Sequence, residues 1–68
     1  MQITVNNNFQ EVSANLNIVS LMENLFPNGN TRGLAIAINQ EVISKENWPS
    51  HIIKENDKVM IIRATQGG

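Results

Sequence analysis

Apolar and polar side chains alternate from the first residue, with Met1, Ile3 and Val5 separated by Gln2 and Thr4. A period of two places the two sets on opposite faces of an extended chain, so this stretch predicts a half-buried strand. Asn6-Asn7-Asn8 follows, and asparagine tolerates the left-handed conformations of a tight turn. Phe9 to Val12 then reads as a second strand, closing an N-terminal hairpin. The period changes after Asn17. Ile18, Leu21, Met22 and Leu25 fall at i, i+3, i+4 and i+7, one face of a helix. Asn17 suits its N-cap, because its side-chain oxygen can accept from a free N–H of the first turn. Pro27 ends the helix, having no N–H to donate and pushing its predecessor out of the α region. Asn28-Gly29-Asn30 reads as a loop.

Leu34-Ala35-Ile36-Ala37-Ile38 is an unbroken apolar run, short for a helix, and predicts a central strand covered on both faces. Asn39-Gln40 reads as a two-residue hairpin turn into a short strand, Glu41 to Ile43. Ser44 to His51, with Trp48-Pro49 inside it, predicts a short helical turn. Glu55-Asn56-Asp57-Lys58 turns the chain into a last strand, Val59 to Thr65. The order β-β-α-β-β-β predicts an α+β fold, a mixed sheet with one helix packed across one face. Met1, Ile3, Val5, Ile18, Leu21, Met22, Leu25, Leu34, Ile36, Ile38, Val59 and Ile61 would fill the single core. The alternate set Ala37, Met60, Ile62 and Ala64 would point to the opposite face. The expected organisation is one domain over residues 1–66 and a flexible tail, Gly67-Gly68.

Length limits what such a chain can do. At 68 residues it buries only about 60% of its unfolded surface. A full core leaves no room for a deep active-site cleft, which points to a module that other enzymes act upon rather than an enzyme. Cysteine is absent, so no disulfide or Cys-based metal site can form, as fits a cytoplasmic protein. Five Lys/Arg nearly balance six Asp/Glu, and Arg32, Lys45, Lys54, Lys58 and Arg63 are scattered. Nucleic-acid binding calls for a basic stripe, and none is present. No apolar stretch approaches the ~20 residues of a membrane span. The alternating start is a strand, not a signal peptide.

Gly67-Gly68 closely follows the apolar run Val59-Met60-Ile61-Ile62 with no further element for a turn to lead into. Lacking Cβ atoms, the two residues could pass through a narrow channel in another protein and present the α-carboxylate of Gly68. Together with Ala37-Ile38-Asn39-Gln40, Trp48 and the turn at Asp57, this ending resembles the thiamine-biosynthesis sulfur-carrier family (ThiS), with its ubiquitin-like β-grasp fold. The resemblance covers essentially the whole chain. One departure is Asn56, where the family usually has Gly; asparagine can adopt the same left-handed conformation.

The resemblance implies a carrier, not an enzyme. An adenylating, E1-like activating enzyme would use ATP to convert Gly68 to an acyl adenylate. A sulfur donor protein would then displace AMP, leaving a thiocarboxylate that delivers sulfur to thiazole synthase. Gly67 would give access to the partner's active site. The chain binds no cofactor under this reading, and it has no Gly-rich phosphate loop with its Lys. Two other readings share the first step: a ubiquitin-like protein modifier joined through Gly68 to lysines, and a sulfur-carrying subunit of molybdopterin synthase. Short length and the match around Asn39-Gln40 favour the first.

The remaining polar residues suggest little chemistry. His51 is the one histidine, and with no second histidine or carboxylate pair beside it in sequence it reads as structural. Glu55 and Asp57 read as solvated turn residues. Trp48 reads as a packing residue at one end of the core. The outward set Ala37, Met60, Ile62 and Ala64 would form an apolar patch on neighbouring strands, and such patches mark docking sites. Methionine suits a surface that must meet more than one partner.

Overall fold

The computed structural model describes residues 1–63. Strands β1 (Gln2–Val5) and β2 (Asn8–Glu11) form the N-terminal hairpin. Helix α1 (Ile18–Leu25) follows, then β3 (Leu34–Ile38), β4 (Glu41–Ile43), a 3-10 helix (Lys45–Ser50) and β5 (Lys58–Arg63). The strands form one sheet in the order β2-β1-β5-β3-β4. β1 runs parallel to β5, and the other neighbouring pairs are antiparallel. The second strand lies one residue earlier than Phe9–Val12. The end of the predicted last strand, Ala64 and Thr65, lies outside the described residues, as does the boundary expected at residue 66.

Helix α1 forms where its cap predicts. Asn17 is extended, and its Oδ1 accepts from the Ser20 N–H at 2.8 Å. The backbone N–H of Phe26 still reaches the Met22 carbonyl at 2.8 Å, and Pro27 then stops the helix. Ile18, Leu21 and Met22 are buried from α1. They meet Ile3, Val5, Leu34, Ile36, Ile38, Trp48 and Val59 in one cluster, and Met1, Leu25 and Ile61 pack at its margin. Ile53 also belongs to the cluster, almost fully buried, although no periodic pattern marks it. It is placed by its backbone, whose N–H donates to the Leu16 carbonyl at 2.7 Å.

One sequence expectation fails at β3. Only one face of that strand is covered by the helix among the described residues. On the other face Ala35 is partly exposed, and Ala37 is shielded by its own strand neighbours. The unbroken apolar run arises because alanine is small enough to be hidden by flanking side chains in the same sheet, without a second layer.

Candidate functional site

The functional residues expected from the sequence fall into two regions, the outer sheet face and the chain end. Gly67, Gly68 and Ala64 lie outside the described residues. The last described residue, Arg63, ends β5, and β5 is the central strand of the sheet, held by β1 on one side and β3 on the other.

Strand register decides which side chains share the outer face. Val59 is fully buried and Ile61 packs at the core margin, so Met60 and Ile62 point the other way. Residues directly opposite each other in a sheet share a face. Met60 faces Ala37, and Ile62 faces Ala35. Across the next pairing Ala37 faces Val42. Three members of the predicted patch, Ala37, Met60 and Ile62, therefore share one face, but they differ in exposure. Ile62 is 52% exposed, whereas Ala37 is 8% exposed and forms the floor between Met60 and Val42. Ala37 is thus a spacer that lets longer side chains stand out.

Sequence reading missed Val42, the most exposed member at 70%. The signal was there. A two-residue turn at Asn39-Gln40 fixes the pairing Ile38↔Glu41 and hence Ala37↔Val42. Phe9 was missed too. It lies opposite Thr4 on β1, and since Ile3 and Val5 point inward, Thr4 and Phe9 point outward. Phe9 is strongly exposed, near the edge of the same face.

The opposite end of β5 is held by a polar node. Asn39 and Gln40 both take positive φ, 52° and 75°, as a type I′ hairpin turn requires. The Asn39 side chain spans two elements. Its Nδ2 donates to Asp57 Oδ1 at 3.0 Å, and its Oδ1 accepts from the Lys58 N–H at 2.9 Å. Asp57 Oδ2 accepts from the Lys54 N–H at 2.8 Å. Asp57 is therefore not a solvated turn residue: it is 8% exposed and ties the β3–β4 turn to the start of β5. Burial is tolerated because both carboxylate oxygens receive hydrogen bonds. Asn56, at φ 69°, adopts the left-handed turn conformation expected of it.

His51, Glu41 and Asp57 line one open cleft of about 450 Å³ beside this node. Asp57 is already engaged, and His51 serves mainly through its backbone, whose carbonyl accepts from the Ile18 N–H at 3.2 Å. Among the described residues no group of three or more histidine or acidic side chains could hold a metal ion. Trp48 is buried as predicted, with its indole Nε1 donating to the Ile43 carbonyl at 3.0 Å. Lys45 Nζ sits 5.5 Å from the ring centroid, within cation–π range. Among the described residues no helix is long and apolar enough to cross a membrane.

The arrangement is an apolar sheet face beside a central strand described as far as Arg63. Comparison with known proteins shows which family the chain is similar to. The model of the ThiS family matches residues 3–68. The sulfur carrier protein ThiS of Escherichia coli (strain K12) is 31% identical over 68 residues, covering 100% of both chains. The crystal structure of a thiamine biosynthesis protein (ThiS) from Geobacter metallireducens superposes with a TM-score of 0.88 at 26% identity, covering 100% of each chain. An NMR solution structure of a thiamine biosynthesis protein from the same organism gives 0.77 at 26% identity, covering 100% of this chain and 88% of that one.

Proposed function

Because this chain belongs to the ThiS family of sulfur carriers in thiamine biosynthesis, we propose that it carries sulfur on its terminal residue, Gly68. The observation that carries the proposal is a family match that runs through β5 to Gly67-Gly68. It supports the sulfur-carrier reading over the protein-modifier and molybdopterin readings.

A carboxylate is a poor electrophile, since its charge is delocalised and its leaving group would be oxide. In the proposed first step a Gly68 carboxylate oxygen attacks the α-phosphorus of ATP, and pyrophosphate leaves. The resulting acyl adenylate has AMP as a good leaving group. In the second step a sulfur nucleophile at the sulfide oxidation level attacks the acyl carbon. The carbon–oxygen bond to AMP breaks, and a thiocarboxylate remains. The thiocarboxylate sulfur then bonds to an electrophilic carbon of the substrate held by thiazole synthase, and water cleaves the acyl carbon–sulfur bond to return the Gly68 carboxylate. The cytoplasmic partner enzymes supply the ATP site and the sulfur donor, and the carrier supplies the reacting carbon. Gly67 allows that carbon into a narrow site. The face of Ala37, Met60 and Ile62, widened by Val42, docks the carrier on its activating enzyme and on its acceptor in turn.

Intact-mass spectrometry tests the chemistry. Incubation with the adenylating enzyme, ATP and a sulfide source should add about 16 Da, the sulfur-for-oxygen difference, to part of the protein. A mass that stays at the plain carboxylate, while the Escherichia coli carrier reacts in parallel, overturns the proposal.

A further inference from the structure

The two edges of β5 are held in different ways. Hydrogen-bonding groups of successive strand residues point to opposite edges. The Lys58 carbonyl accepts from the Asn39 N–H on the β3 side, and the Val59 carbonyl accepts from the Asn6 N–H on the β1 side. Ile61 therefore faces β1 as Val59 does. But β1 ends at Val5, and the chain turns away at Asn6 and Asn7 with φ 50° and 70°. No β1 peptide remains to pair with Ile61.

The Asn6 side chain takes that place. Its Oδ1 accepts from the Ile61 N–H at 2.7 Å, and its Nδ2 donates to the Ile61 carbonyl at 3.3 Å. A carboxamide carries the same donor and acceptor as a peptide group, so Asn6 continues the ladder for one more step after its own backbone has left it. The left-handed φ of Asn6 is among those asparagine tolerates best, which lets one residue both turn the chain and reach back.

We infer that Asn6 is a positioning residue for the activation of Gly68: its carboxamide fixes the β1-side edge of β5 at Ile61, two residues before Arg63, and so sets the direction of β5 at its last described residue. The inference rests on the sulfur-carrier reading. Docking and aiming are separable here, because Met60 and Ile62 are held by their pairing with Ala37 and Ala35 on the β3 side. Loosening the β1 side should leave the docking face in place. It should reduce the share of docked complexes in which Gly68 meets ATP, and small misplacements of a reacting atom are costly in rate.

Asn6→Gly tests this, since glycine accepts the positive φ and removes only the carboxamide. Two measurements use the full chain: amide hydrogen exchange at Ile61 by NMR, and ATP–pyrophosphate exchange by the adenylating enzyme as a function of carrier concentration. The variant should exchange its Ile61 amide about tenfold faster, as loss of a modest hydrogen bond implies. It should lower kcat about three- to tenfold with KM within about twofold, the pattern of an interaction that matters after binding. Asn6→Asp, which keeps the acceptor for the Ile61 N–H and loses the donor, should fall between the two. Unchanged Ile61 exchange, or faster exchange with unchanged kcat, overturns the positioning role alone. A rise in KM with kcat intact overturns it in favour of a role in docking. If the wild-type chain is not activated either, the carrier reading falls and the positioning role falls with it.

Discussion

Replacing Asp57 with alanine should destabilise the domain far more than its place in a turn suggests. The carboxylate is buried and takes two hydrogen bonds, from Asn39 Nδ2 at 3.0 Å and from the Lys54 N–H at 2.8 Å. Alanine would leave both donors without their acceptor. The Lys54 N–H is part of a backbone turn and cannot move far to find another partner. The Asn39 side chain can rotate towards water, but doing so also gives up its bond to the Lys58 N–H at 2.9 Å. A hydrogen bond to a charged group contributes about 1.5–3 kcal/mol, and Asn39 and Lys54 are exposed residues whose donors water can reach. With part of each loss recovered by solvent, the total should come to about 2–4 kcal/mol. A domain of this size has about 3–10 kcal/mol of stability in all, so a large fraction would be lost. At roughly 4–8 °C per kcal/mol, the melting temperature should fall by about 10–30 °C. The assay is thermal and urea unfolding followed by circular dichroism, with Asn39→Ala and the double variant completing a cycle. Because the two residues share one node, the double variant should cost clearly less than the sum of the singles. A melting temperature within about 3 °C of wild type, which is below 1 kcal/mol at this chain length, would show that the node does not hold β5 and that the burial argument is wrong.

Two further outcomes separate fold from function. Ile62→Asp should leave the domain folded, since Ile62 is half exposed, and should raise KM for the activating enzyme. Ile61→Asp should cost about 2–4 kcal/mol, because it sets a charge against the core margin; the reverse result in melting curves would mean the two faces are exchanged. Deleting Gly68 should abolish ATP–pyrophosphate exchange while the melting curve stays put, since the chain would then end about 3.3–3.6 Å short of the reacting position. Full exchange by the shortened chain would remove Gly68 from its proposed role.

Much of this molecule was legible before any coordinates. Period-two and period-3.6 patterns come from local backbone geometry, so β1, α1 and the two faces of β5 could be read directly. The caps at Asn17 and Pro27 and the left-handed turns at Asn39 and Asn56 are equally local, because each depends on the residue's own hydrogen bonds and allowed φ. Val42 was within reach by the same logic, since a two-residue turn dictates its partner. Gly67-Gly68 was visible in the sequence and falls within the family match, but lies outside the described residues.

What needed the tertiary structure involves residues far apart in the chain. Asp57 looked solvated because nothing in Glu55-Asn56-Asp57-Lys58 reveals that Asn39 will arrive beside it. Asn6 looked like one more turn asparagine, because its partner Ile61 is 55 residues away. Strand β3 looked doubly covered because sequence alone does not distinguish an alanine under a second layer from one sheltered by Met60 and Val42. Ile53 carries no periodic signal in the sequence, and its backbone bond to Leu16 is what sets it in the core. In each case a deciding contact joins residues on different elements of the sheet or its connections. A short-range pattern records what a residue can do, and the assembled sheet decides which residue it meets.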